Sequence, residues 1–257
     1  MNKDIKQIVI RPEELEVYAP PGHDDTFNKL FLGPKNGCDH IEFILGEMGK
    51  QGSADPHFHA DSNQILFMIE GKLKVTGNGV TEEVGPSDLI YWPAGCEHVV
   101  DVITEKAKFL VIYTPPRGGE SIMDSVEDKS QKVIRPNDIE VYAPAAHDDT
   151  YNRLYIGPKN GCPQLEFIIG EMGKQGKADP HFHADTNQLL YMLEGEVEVV
   201  NNDDVENLVA GDLVYWPINC NHIVNVQTEK AKFIVLYTPP RKSYKIQSDD
   251  GDVLIEN

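Results

Sequence analysis

DPHFHADSNQ at 55–64 returns as DPHFHADTNQ at 179–188, 124 residues later (179 against 55). The same offset carries Val9 to Val133 and Arg117 to Arg241 without a gap, so the chain is one unit written twice. An internal repeat of this kind fixes the architecture before any single element is read. Each copy is near 115 residues, long enough to enclose a core of its own. The division expected is a first domain over 1–117, a linker over 118–132, a second domain over 133–241 and an acidic tail over 242–257.

Around the repeated decapeptide the apolar runs are short and punctuated by Gly, Pro and Asn: HIEFILGEM, QILFMIEG, DLIYWP and KFLVIYTPP. Short strands at this spacing, with no sustained 3.6-residue period, predict two tandem all-β barrels or sandwiches. The two copies also disclose which side of each strand looks inward. Positions 96, 98, 100 and 102 match 220, 222, 224 and 226 in type, whereas the residues between them differ every time. Strand side chains alternate faces with a period of two, so one face has been held fixed while the other drifted. The fixed face is read as the interior. It places Leu66, Met68, Val100, Phe109, Val111 and Tyr113 around one cavity, with Leu190, Met192, Val224, Phe233, Val235 and Tyr237 around the other. Both faces of the 64–70 and 109–113 strands are apolar, which calls for a covering layer, either barrel packing or a homodimer contact.

His57 and His59 project to one side of a strand, Gln64 opens the next strand on its inward face, and His98 begins a later one. His181, His183, Gln188 and His222 repeat the set. Three imidazoles and a side-chain oxygen suit Mn, Fe, Co, Ni or Zn, with geometry rather than affinity choosing among them. One divalent transition metal per domain is expected. Cys96 and Cys220 share the inward face with the neighbouring ligand histidine, and a thiol lowered by the ion could act there as base or extra ligand; a small packing residue is the plainer reading. The HDDTFN and HDDTYN segments, beginning at His23 and His147, read as turn-forming loops. Trp92 and Trp216 read as packing residues.

These motifs resemble those of the cupin superfamily in its two-domain, bicupin form. His57-Phe58-His59, Gln64 and Gly71 follow the first cupin motif, and Ser87, Pro93, Gly95 and His98 the second; the second copy has His181-Phe182-His183, Gln188 and Gly195, then Gly211, Pro217, Asn219 and His222. The resemblance implies jelly-roll barrels, one metal in each, and most often a dioxygenase acting on an enol, diketone, aromatic or hydroxy acid. Cupins usually carry Glu where Gln64 and Gln188 stand. A neutral ligand leaves the ion its full charge, making a stronger Lewis acid. That departure favours a redox-neutral lyase, isomerase or cyclase, and a non-catalytic binder of a small molecule or sugar is the third class.

The charge excludes other partners. Asp and Glu number 42 against 23 Lys and Arg, a net charge of −19 spread along the chain. Such a field repels nucleic acid and anionic lipid, and no apolar run reaches membrane-spanning length. MNKDIKQIVI lacks the apolar core of a secretory signal. The four cysteines have no CxxC spacing, so free thiols and a cytoplasmic location are expected.

Overall fold

The computed structural model describes residues 5–246 and 253–256. The sequence halves and the compact units are out of phase at their ends. One unit runs from Leu15 to Asp138; the other joins the residues up to Glu14 with those from Ile139 onward. The expected boundaries at 117 and 133 therefore shift.

The cause is the closing strand of each barrel. In the Leu15–Asp138 unit the strand order is Lys132–Ile134, Leu89–Trp92, Asn63–Glu70, Lys106–Thr114, Glu42–His57, His98–Val102, Leu73–Gly77 and Val80–Val84. His23–Leu32 adds to the long Glu42–His57 strand, and every pairing is antiparallel. Apart from the Leu73–Gly77/Val80–Val84 hairpin and the His23–Leu32/Glu42–His57 pair, neighbours in the sheet are distant in sequence, as a jelly roll requires. The closing strand, Lys132–Ile134, starts the second repeat yet pairs with Leu89–Trp92 (Lys132 opposite Tyr91). Its counterpart Ile8–Ile10 starts the first repeat and closes the other unit against Leu213–Trp216 (Ile8 opposite Tyr215). That unit otherwise repeats the same order through Asn187–Glu194, Lys230–Thr238, Glu166–Phe182, His222–Val226, Glu196–Asn201 and Asp204–Val209.

The expected linker is built into the first unit. Ile122 N and Met123 N both donate to Ala60 O (2.8 and 3.1 Å), pinning a 3-10 turn over Met123–Ser125 onto the loop that follows His59. The tail also has structure: Ser243–Ile246 and Val253–Glu256 form a hairpin whose first strand pairs with His181 and Phe182. The HDDTFN and HDDTYN segments are not loops. They open the strands His23–Leu32 and His147–Ile156, and their turn character survives as a register shift beside Asp25 and Asp149, both at φ 42°.

Each barrel holds its own core, centred in the first on Ile44, Leu66, Met68, Trp92, Phe109 and Val111 and in the second on their counterparts. Ile65, Phe67, Leu110 and Ile112, on the opposite faces of the same strands, are fully buried too. Those strands thus bury both faces, which explains their continuous apolar character. Gly46 and Gly170 make room for aromatic cores: a Cβ there would lie 2.4 and 2.3 Å from the rings of Phe109 and Phe233. At the second-motif turns Ser87 (φ 71°) and Asn219 (φ 65°) hold the left-handed conformation that Gly211 and Gly95 hold in the other copy, so the turn is kept where glycine is not. The described helices are 3-10 turns, and none is long and apolar enough to cross a membrane.

Candidate metal centre and pocket

The register of the long strand brings the histidines together. His57 stands opposite His98 and His181 opposite His222, each at the end of a pairing that breaks its regular step just before. His59 follows on the same side, and Gln64 pairs with both Trp92 and Tyr113. The ligand atoms of His57, His59 and His98 lie within 4.8 Å of one another, as do those of His181, His183 and His222.

Backbone carbonyls fix which nitrogen faces inward. Nδ1 of His57, His98, His181 and His222 lies 2.7 to 3.1 Å from the carbonyl two residues before it. A carbonyl only accepts, so each Nδ1 carries the proton and each Nε2 presents a lone pair. Nε2 of His98 then meets the Gln64 Oε1 at 3.1 Å, two acceptors that a cation would join. His222 Nε2 is buried with no hydrogen-bond partner, a costly arrangement for which a bound ion is a physical remedy. Burial, followed by repulsion from neighbouring rings, pushes His98 down to about 3 and His59 to about 4; burial also takes His181 to about 4 and holds His183 and His222 well below the usual imidazole range. Neutral imidazoles are the form that binds metal. The donor set fits a divalent transition ion.

Aromatic rings brace this set. Trp92 stacks on His98 and Trp216 on His222, with ring centroids 4.5 and 4.3 Å apart. Tyr113 meets His59 edge to face at 4.9 Å, and the Arg117 guanidinium lies 4.1 Å over Tyr113 while pairing with Glu42 at 2.6 Å. Tyr237, Arg241 and Glu166 repeat the arrangement.

A pocket opens beside each ligand set, with ≈ 500 Å³ of empty space in the first barrel and ≈ 410 Å³ in the second, mouths included. Leu66, Val100, Phe109, Val111 and Tyr113 line the first, and Leu190, Val224, Phe233, Val235 and Tyr237 the second. Met68 and Met192 do not reach them; they sit in the barrel cores. Cys96 and Cys220 also stay in the cores, outside both the pockets and the histidine groups. Burial pushes their thiols up, to about 11 and about 12. All four cysteines are free and buried.

Sequence reading missed His23 and His147. Both line the pockets, with rings 5.6 Å from His57 and His181. Their signal was parity on a strand, hidden by the Pro, Gly and Asp around them. The two centres also differ in access: His57 and His59 are partly exposed, whereas His181 and His183 are buried beside the pairing tail strand.

The cupin-domain profile matches residues 44–113 and again 168–237, covering both ligand sets' strands. The chain belongs to the cupin family, in its bicupin form. Among its relatives it is 20% identical over 250 residues to quercetin 2,3-dioxygenase of Bacillus subtilis, covering 78% of this chain and 74% of that one. It is 21% identical over 242 residues to oxalate decarboxylase OxdC of the same organism, covering 70% of this chain and 63% of the relative, less than two thirds of its length. The crystal structure of a putative glyoxylate-induced protein from Pseudomonas aeruginosa shares the fold at a TM-score of 0.77, with 18% identity over 91% of this chain and 88% of that one.

Proposed function

We propose that the protein is a divalent-metal-dependent enzyme of dioxygenase type, acting on an oxygen-bearing small molecule: an enol, diketone, aromatic or hydroxy acid. The observation that carries this reading is the convergence of three imidazole ligand atoms within 4.8 Å of one another, with the Gln64 amide oxygen against His98, beside a pocket lined largely by apolar side chains. A bound transition ion supplies Lewis acidity and a redox-active centre. His57, His59, Gln64 and His98 would hold it in the first barrel, and His181, His183, Gln188 and His222 in the second. Leu66, Val100 and Val111 seat the carbon skeleton and keep water from it. Tyr113, held by Arg117 and Glu42, fixes the His59 ring. The similarity to a dioxygenase supports the same class, as analogy between folds.

A redox-neutral lyase or isomerase is the second reading, favoured by one observation. Among the described residues no carboxylate lines either pocket, and the ligand that is usually Glu is a neutral Gln. The deciding experiment is oxygen uptake by metal-reconstituted protein across a panel of enols, diketones and hydroxy acids. Turnover that consumes O2 is the expected result; equal turnover in the absence of O2 establishes the redox-neutral reading instead.

A further inference from the structure

Beyond the ligand set, each pocket presents a pair of hydrogen-bond acceptors. His23 Nδ1 lies 2.9 Å from the Pro21 carbonyl and His147 Nδ1 2.8 Å from the Ala145 carbonyl. The proton is therefore on Nδ1 and the bare nitrogen of each neutral ring is Nε2. This is the same clamp, to the carbonyl two residues back, that orients His57 and His98. Yet His23 and His147 stand outside the groups whose ligand atoms converge. The second acceptor is Asn28 Oδ1, matched by Asn152 Oδ1: both are buried, both lack a hydrogen-bond partner, and both residues line the pockets. The neighbouring Thr26 and Thr150 hydroxyls cannot serve them, because each donates to a backbone carbonyl at 2.7 Å. A buried acceptor left unpaired is destabilising and is ordinarily matched by a donor. Two such acceptors at equivalent places in both barrels describe what the ligand must bring.

We infer that His23 with Asn28, and His147 with Asn152, are substrate-contacting residues that accept hydrogen bonds from the O–H groups of the bound molecule, so that the pockets select hydroxyl-bearing ligands, such as 2-hydroxy acids and enediols, over their O-methyl ethers. This rests on the metal reading above, because the ion anchors the remaining oxygens of the same molecule. Diketones without a hydroxyl are the weaker ligands on this account.

The test uses full-length protein reconstituted with Mn(II), its metal content measured first, and calorimetric titration with glycolate and with methoxyacetate, which differ only in O–H against O–CH3. The wild type is expected to prefer glycolate by roughly three- to tenfold, the worth of the one hydrogen bond that its single O–H donates. The Phe variants combine His23→Phe and His147→Phe with Asn28→Leu and Asn152→Leu, so that both acceptors are removed from both barrels, and they are expected to keep two ions and lose the preference. His23→Gln with His147→Gln retains the side-chain acceptors and is expected to keep it; this pair also guards against a folding defect in the Phe variants. Equal affinity of the wild type for the two probes overturns the inference, as does a preference that survives in the Phe variants. Loss of metal from the Phe variants also overturns it, by making these histidines ligands. A wild type that takes up no ion is recognised at the elemental analysis, before any titration, and removes the metal reading together with this one.

Discussion

The indole of Trp92 lies flat on the imidazole of His98, with centroids 4.5 Å apart and planes 14° from parallel, while its Nε1 donates to Gln131 Oε1 at 2.7 Å. Trp216 stacks on His222 at 4.3 Å and 15° and donates to Gln7 at 3.1 Å. Gln131 and Gln7 each immediately precede a closing strand, Lys132–Ile134 and Ile8–Ile10. Each tryptophan thus ties a closing strand, through a hydrogen bond, to a candidate ligand histidine, through ring stacking.

Trp92→Leu should therefore loosen His98 as well as the core. Removing groups that orient a metal ligand typically costs tenfold or more in affinity, in the range of about 10–100-fold. A competition titration of Mn(II) against a chromophoric chelator should show one of two sites weakened, and Trp216→Leu should weaken the other. Two undisturbed sites in Trp92→Leu would show that the stacking is packing alone.

Gln64→Glu with Gln188→Glu should keep the ions and weaken anionic ligands, since each substitution places a carboxylate among the donors. At about 4 Å an added charge is worth roughly 1–4 kcal/mol between bulk water and a partly buried site, so acetate or glycolate affinity should fall at least about fivefold. Calorimetry with the same ligands on both proteins measures this. Unchanged affinity refutes the charge argument.

The two centres should lose their ions at different rates. His57 and His59 are partly exposed, whereas His181 and His183 are 3% and 4% exposed. The edge at Phe182 is paired by the tail, whereas Phe58 is 52% exposed. EDTA should strip Mn(II) in two phases, the faster assigned to the first barrel by its disappearance in His57→Ala. Deleting residues 242–257 should speed the slow phase. A single phase in the full chain would contradict the asymmetry.

Ion-free protein should lose stability as pH falls below about 6.5. Burial holds His98 near 3 and His181 near 4, whereas the unfolded chain titrates near the ordinary value of 6.5. Between those values the unfolded state binds more protons than the native state, so stability is full above about 6.5 and declines on acidification towards 4. The slope is at most about 1.4 kcal/mol per pH unit for each such histidine. Urea midpoints from neutral to mildly acidic pH read it directly; a flat profile would mean that the rings protonate in place.

Leu66 and Val100 were legible as pocket residues because parity along a strand is local: alternate side chains share a face whatever lies across the sheet. Met68 obeys the same parity yet misses the pocket, since depth along the barrel axis depends on the partner strands. Cys96 misses it for the same reason. His23 was hidden because Pro20, Pro21, Gly22 and Asp24 around it carry turn signals, and only the pairing of His23 with Ala54 shows the strand.

The duplicated ligand set, the all-β class and the identity of the inward face were written in the order of residues, because repetition and a two-residue period need no knowledge of distant neighbours. Tertiary structure alone decided that each closing strand comes from the start of the other repeat, that Trp92 backs His98, that His23 and Asn28 line the pocket, and that identical motifs make one partly exposed and one buried histidine group. These depend on which strands hydrogen-bond across the sheet, and contacts between residues far apart in the chain leave no fixed spacing to read.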